Sequence, residues 1–369
     1  MSNIVSYVKR NQSLMNDEDI NNADALILSW LSYFNYADYL KFSSLKISAI
    51  EGKYTLPKKE MYQDAFMPRN SYQLFTCLKA SPRFSSLTLS DFSNIKDEDK
   101  CEQFAAITIC LNPNLYFISF RGTDPSFLGW EEDFKLAYLP FTASQIDGVS
   151  YVEQEIDKHP KAMFLLGGHS KGGNVAIYAG SLLPLEKQKK IKRIYSFDGP
   201  GFPSSFFEET GYASIKDRIR KIVPSSSFVG FLFNNKYPYQ IIKSQAVVFL
   251  QHNPFCFVMK GNDFVAKNKR SSFSLKSEYV MTNWINNLDI EERERYIKII
   301  FIALNKLKIR DFNSFFYSLP IQVFHLLGIY RRVAKSDQFF FKKTTKALLK
   351  LCFTSKRKIR DYFKKASIQ

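Results

Sequence analysis

The chain has 369 residues, 45% of them apolar and 16% aromatic, and its 52 lysines and arginines against 35 aspartates and glutamates give a formal net charge of +17. That apolar content excludes an intrinsically disordered chain, which cannot bury enough surface to offset the entropy of ordering, and the length suits one large domain or two modest ones. Five cysteines, an odd set without a C-x-x-C pair, point to neither a disulfide framework nor a zinc ribbon, and fit a reducing compartment.

The first 17 residues carry Asn, Lys, Arg and Gln where a signal peptide has its apolar core, so a cytoplasmic location is expected. Residues 24–34 then place Leu26, Ile27, Leu28, Trp30, Leu31 and Phe34 on a compact apolar helix that Asn22 or Asp24 can cap and that should pack on the main core. Residues 103–111 and 115–120 read as a hairpin around Asn112-Pro113-Asn114, whose second strand ends in Arg121-Gly122-Thr123-Asp124. Next come an amphipathic helix with Val149, Val152 and Ile156 on one face, an apolar strand over 162–166 and a glycine-rich turn. After another helix, strands are expected over 191–197, 219–223 and 246–250. This alternation predicts an α/β fold, a mostly parallel sheet with helices on both faces. Beyond about residue 260 the apolar spacing becomes helical, as in Tyr296, Ile299, Ile300, Ala303, Leu304 and Leu307, and no further strand is expected. The reading divides the chain into an α/β domain over 1–265 and a helical, basic extension over 266–369.

Two parts of that extension bear on membranes. Residues 312–330 lack Asp, Glu, Lys and Arg, but Asn313, Ser314, Ser318, Pro320, Gln322 and His325 interrupt them. A central proline removes a backbone donor that a bilayer cannot replace, so two short packed helices are expected, with monotopic contact as the alternative. From Arg331 onward the chain holds 13 lysines and arginines against Asp337 and Asp361. Phe339, Phe340, Phe341, Leu348, Leu349, Leu351 and Phe353 are interleaved with them. Such a segment is either a solvated basic helix or an amphipathic one pressed on anionic lipid at the inner face of the membrane. Zinc-finger spacing and an aromatic RNP pattern are both missing, so nucleic acid is not the expected partner.

The most informative stretch is Gly168-His169-Ser170-Lys171-Gly172, a G-x-S-x-G sequence between a predicted strand and a predicted helix. There a serine sits on a strained turn with its hydroxyl above the sheet, and glycines two positions to either side avoid collisions with neighbouring backbone. The phosphate-cradling spacings G-x-x-x-x-G-K-[ST] and G-x-G-x-x-G are absent. Ser170 is therefore the candidate nucleophile. Of four histidines, His159 precedes the turn and His169 adjoins the serine, leaving His252 and His325 as candidate bases. His252 is preferred because it follows a predicted strand and fits the chain order serine, acid, histidine. The orienting acid should lie between them: Asp198, opening the turn Asp198-Gly199-Pro200-Gly201-Phe202, is preferred to Glu208, Glu209 and Asp217, although Asp before Gly-Pro is also a common turn former. Oxyanion donors are expected from the backbone NH of Lys171 and from Thr123, with Gly122 allowing close approach. Residues 125–130 read as either a lid or buried core, and aromatic residues within 125–141 and 228–239 as the lining of an acyl pocket.

Phe120-Arg121-Gly122-Thr123-Asp124 and Trp130-Glu131-Glu132-Asp133, taken with the serine motif extended through Gly173-Asn174, resemble the class 3 lipase-like α/β-hydrolases. With Asp198-Gly199-Pro200-Gly201-Phe202 and Gln251-His252-Asn253-Pro254-Phe255 added, the chain more closely resembles the bacterial Mbeg-like family of presumed lipases, over about residues 20–260. The resemblance implies an α/β-hydrolase fold and ester hydrolysis, with Ser170 at the nucleophile position and Thr123 at the oxyanion-loop position. One departure stands out. Class 3 lipases usually carry their acid in an Asp-x-Val-Pro stretch, and the similar stretch here is Lys221-Ile222-Val223-Pro224. The expectation is a serine hydrolase of acyl esters that needs no cofactor or metal. An acyltransferase or thioesterase with the same triad, and a non-catalytic scaffold binding a partner through its basic tail, are the alternatives.

Overall fold

The computed structural model describes residues 2–15, 20–40, 44–50, 67–209, 211–307 and 328–366. Within these the helices longer than two turns, or close to it, are α1 (Ile4–Arg10), α2 (Asn22–Trp30), α3 (Pro68–Ala80), α4 (Phe127–Lys135), α5 (Ala143–Lys158), α6 (Lys171–Leu182), α7 (Ser272–Asn286), α8 (Ile290–Asn305), α9 (Lys335–Cys352) and α10 (Lys356–Ala366). The strands are β1 (Leu45–Lys46), β2 (Thr88–Asp97), β3 (Glu102–Asn112), β4 (Leu115–Phe120), β5 (Met163–His169), β6 (Ile191–Phe197), β7 (Ile219–Pro224), β8 (Tyr239–Ile242), β9 (Met259–Lys260) and β10 (Asp263–Phe264).

Eight strands form one sheet in chain order, β1 to β8. The first four pair antiparallel, and from β4 to β8 every pairing is parallel. The expected hairpin is β3–β4, turning at Pro113 and Asn114. Parallel pairing requires crossovers; α5 carries the chain from β4 to β5, and α6 carries it from β5 to β6. Helices cover both faces, so β4 to β6 read as near-continuous apolar runs. On one face α2 is almost wholly buried, with Leu26, Ile27, Leu28 and Trp30 inaccessible to solvent, in the cluster that includes Phe117, Tyr195 and Phe197. On the other, Val152 and Ile156 of α5 and Val175, Ala176 and Ile177 of α6 pack on Ile118, Leu166 and Ile194. The cap of α2 is Asn21, not Asn22 or Asp24; Asp24 instead closes a capping box and pairs in the interior with Arg83 at 2.7 Å.

Several stretches differ from the sequence expectation. β2 and β8 complete the sheet without having been anticipated, and β9 pairs with β10 in a small hairpin beyond residue 260. Residues 246–250 are not a strand. After β8 the chain pairs sideways instead, with Lys243 N donating to Val265 O and Gln245 N to Cys256 O. Residues 246–252 therefore loop out, with a 3-10 turn over Val248–His252; Val247, which caps it, is 68% exposed and Leu250 64%. Their apolar character does not signal burial. Residues 308–327, which hold most of the uncharged run and His325, lie outside the described residues. Among the described residues no helix is long and apolar enough to cross a membrane. All five cysteines are free.

Candidate active site

Parallel pairing aligns the carboxyl ends of three strands: Phe120 of β4 lies opposite Gly168 of β5, and His169 opposite Phe197 of β6. The loop 121–124, the serine turn and the turn at 198 therefore emerge side by side at the sheet edge where α/β folds place their ligands. Ser170 sits between β5 and α6 with φ 58° and ψ −132°, backbone territory that a non-glycine residue occupies only when its surroundings enforce it. The flanking glycines explain how it is held. A Cβ on Gly168 would lie 2.2 Å from the carbonyl carbon of Gly172, and one on Gly172 would lie 2.1 Å from Phe120 O. Gly122 is similarly required: a Cβ there would come within 2.5 Å of His169 O.

The structure brings Ser170, His252 and Asp198 into one hydrogen-bonded line. His252 Nε2 lies 2.9 Å from Ser170 Oγ, and His252 Nδ1 lies 2.7 Å from Asp198 Oδ2. A carboxylate only accepts, so Nδ1 carries the proton and Nε2 is left to accept from the serine hydroxyl. Asp198 is fully buried, has φ 53°, and also accepts from Ser227 Oγ, while its own NH donates to Ile222 O at 2.9 Å. Asn174 of α6 steadies the following turn, its Nδ2 donating to Gly201 O at 2.9 Å. His159 caps α5 and stacks on Tyr116, with ring centres 4.2 Å apart.

Lys171 opens α6, where backbone NH groups have no intrahelical acceptor and the helix dipole favours negative charge. Its side chain turns inward, donating to Glu132 Oε2 and to Gln103 O, each at 2.6 Å. Glu132 in turn accepts from Ser144 Oγ at 2.8 Å and from the Gln103 NH at 3.0 Å. Burial, the largest single effect, raises the Glu132 carboxyl, but the Lys171 charge and the hydrogen bonds from Lys171 and Ser144 together outweigh it and hold the carboxyl below its usual range. Thr123 directs its hydroxyl to Asp133 Oδ2. Asp133 Oδ1 is buried with no hydrogen-bond partner among the described residues, and burial raises that carboxyl to about 6. Asp124 pairs with Lys96 at 2.8 Å, and Arg121 donates to Asn94 Oδ1 at 2.9 Å. Lys221, at the strand position where class 3 lipases usually have the acid, donates to Gly199 O at 2.7 Å and to Asn235 Oδ1. Desolvation lowers its ammonium to about 7.

Residues 125–130 enter α4, capped by Ser126, and Phe127 is buried. With Trp130 and Tyr138 it packs against Ile297, Ile300, Phe301 and Leu304 of α8. In the other stretch expected to line a pocket, Phe231 is buried beneath the Arg270 guanidinium, 3.4 Å from the ring centre. Those aromatic side chains are therefore engaged in internal packing. His169, Gln103, Glu132, Asp133 and Ser227 had no assigned role in the sequence reading. Glu132 and Asp133 were visible in the motif after Trp130, whereas Gln103 and Ser227 carry no local signal.

No curated protein matches the chain. Among solved structures, similarity extends to the Rhizomucor miehei lipase propeptide complex (17% identity, 43% of this chain and 57% of that one, TM-score 0.33). It extends also to lipase II from Rhizopus niveus (17%, 47% and 70%, 0.32) and to a mutant of MDLA from Penicillium cyclopium (11%, 72% and 92%, 0.39). The chain thus spans little more than half of the first of these structures. The eight-stranded, mostly parallel sheet with its strand–serine–helix turn is an α/β-hydrolase fold. Residues 78–302, more than half of the sequence, match the Mbeg1-like family, and the chain belongs to that family.

Proposed function

We propose that the protein is a serine hydrolase that cleaves carboxylic esters, in particular lipid acyl esters, through an acyl-enzyme intermediate. The fold and the Mbeg1-like family support a lipase/esterase-type hydrolase. The observation that carries the finer reading is the continuous line from Ser170 Oγ through His252 to Asp198, with spacings of 2.9 and 2.7 Å. Ser170 Oγ attacks the acyl carbonyl as His252 Nε2 takes its proton; Asp198 keeps the productive tautomer and stabilises the imidazolium. The carbonyl oxygen gains negative charge beside the Lys171 NH and the Thr123 loop. The tetrahedral adduct collapses with loss of the alcohol, which leaves with the proton from His252. Water, deprotonated by the same imidazole, then releases the acid and restores Ser170.

A fluorophosphonate probe tests this on the full chain, with Ser170→Ala and His252→Ala as variants and with detergent or vesicles present. Labelling of wild type that is lost in Ser170→Ala and strongly slowed in His252→Ala is expected, together with turnover of acyl esters. Wild-type protein that is folded yet inert to the probe overturns the reading and favours a non-catalytic scaffold.

A further inference from the structure

The basic tail is folded into α9 and α10, and its apolar residues divide into two groups. Phe340, Phe341, Leu348 and Leu351 face inward, packing with Trp284 and Tyr296 of α7 and α8. Ile359, Tyr362 and Phe363 of α10 likewise pack on Tyr279 and Val280. Yet Phe339, Leu349 and Phe353 point outward and are 72%, 53% and 86% exposed.

These three share a side of the helix with exposed lysines. Phe339, Lys342, Lys343, Lys346, Leu349, Lys350 and Phe353 follow the spacing i, i+3, i+4, i+7, i+10, i+11, i+14, a single stripe along α9 and its C-cap. At 1.5 Å per residue the stripe is about 21 Å long. Among the described residues none of its four lysines is in an ion pair, and the acid of α9, Asp337, is held by Arg295 at 2.7 Å. A face that only met water would have no reason to carry large apolar groups at both ends and an aliphatic one between, with cations filling every gap.

We infer that this outward stripe of α9 docks the protein on an anionic phospholipid surface. Phe339, Leu349 and Phe353 enter the acyl boundary while Lys342, Lys343, Lys346 and Lys350 extend their ammonium groups to the phosphates. Aliphatic stems alongside the apolar side chains and charged heads at the level of the headgroups are the arrangement that such an interface favours. Charge complementarity selects anionic over zwitterionic lipid. The exposed leucine and the separation of the two phenylalanines favour a continuous apolar layer over stacked bases.

The inference does not rest on the serine chemistry, and its test uses the full-length Ser170→Ala variant so that lipid is not consumed. Co-sedimentation is measured with phosphatidylcholine vesicles and with vesicles containing about 30 mol% phosphatidylglycerol. Binding at least tenfold tighter to the anionic vesicles is expected, with a tenfold or greater loss in Phe339→Ser/Phe353→Ser and in Lys343→Glu/Lys346→Glu. A Phe353→Trp variant reads insertion directly, through quenching by brominated lipid. Equal binding to both vesicles, or full binding by the double Phe variant with no quenching of the new tryptophan, overturns the inference. So does tighter, steeply salt-dependent binding to duplex DNA that survives loss of both phenylalanines.

Discussion

His169, the residue before the candidate nucleophile, holds the backbone of the candidate base: its Nε2 lies 2.8 Å from the carbonyl oxygen of His252. Its other ring nitrogen lies 3.1 Å from the hydroxyl of Tyr33, in a pocket where burial keeps the imidazole neutral well below the ordinary histidine range. The carbonyl can only accept, so Nε2 bears the hydrogen and Nδ1 accepts from Tyr33, whose hydroxyl burial also keeps protonated. Serine and base are thus linked twice, once through the reacting atoms and once beneath them. Replacing His169 by Phe should keep the ring volume and remove the second link. The expected result is a fall of about tenfold in kcat, the equivalent of one neutral hydrogen bond. Ser170 should still react with fluorophosphonate, only more slowly. An unchanged kcat on a short-chain ester would show that the loop is held by other contacts.

The buried Lys171–Glu132 pair fastens the serine turn to α4. Glu132→Ala leaves an ammonium without its partner and should cost about 3–5 kcal/mol in a denaturant titration. The double change Lys171→Met/Glu132→Leu should cost less than that single one, because no unpaired charge remains. Because the folded-state carboxyl lies below its unfolded value of 4.5, the stability it supplies is present above that value and is lost as pH falls through the lower, folded one. A double variant no more stable than Glu132→Ala would locate the cost in packing instead.

Asp133 has the opposite sign. Its folded-state carboxyl is raised from 3.8 to about 6, so the folded chain binds more protons between those values and stability declines as pH rises through that window. Asp133→Asn should remove the decline, so that the variant gains on wild type from about pH 4 to about pH 6 and holds a constant difference above. Parallel stability curves for the two proteins would refute the assignment.

Lys221 provides a second titration at higher pH. Its ammonium is lowered from 10.5 to about 7, so the unfolded chain binds the extra proton between those values and stability should increase with pH across the interval. Lys221→Met should flatten that part of the curve. Chemical denaturation of both proteins at about pH 7 and about pH 9 checks it.

What the sequence made legible followed from how local each signal is. The serine turn depends on residues within two positions of Ser170, and Asp198 and His252 follow it in the chain order that the fold expects. The burial of β4 to β6 on both faces made their apolar runs conspicuous. β2 was hidden because its exposure is mixed, and its pairing is interrupted between Ser90 and Ser93, where Asp91 takes a φ of 54°. β8 is a four-residue edge strand with one buried side chain. The run at 246–250 misled for the converse reason, being apolar yet outside the core. No spacing rule links Lys171 to Glu132 or His169 to Tyr33, since each pair meets only once the sheet has assembled.

The contact between α4 and α8 also bears on the order in which the chain is made. Phe127 and Phe301 are 174 residues apart. At roughly 5–20 residues per second, α4 leaves the ribosome about 10–35 seconds before the helix that covers it. By then β4 to β8 and the turns bearing Ser170 and Asp198 have all been synthesised, with one greasy side of α4 still uncovered. A nascent chain stalled before α8 would carry the residues of the proposed chemistry next to that bare patch, because the packing that covers Phe127 comes from Ile297, Phe301 and Leu304.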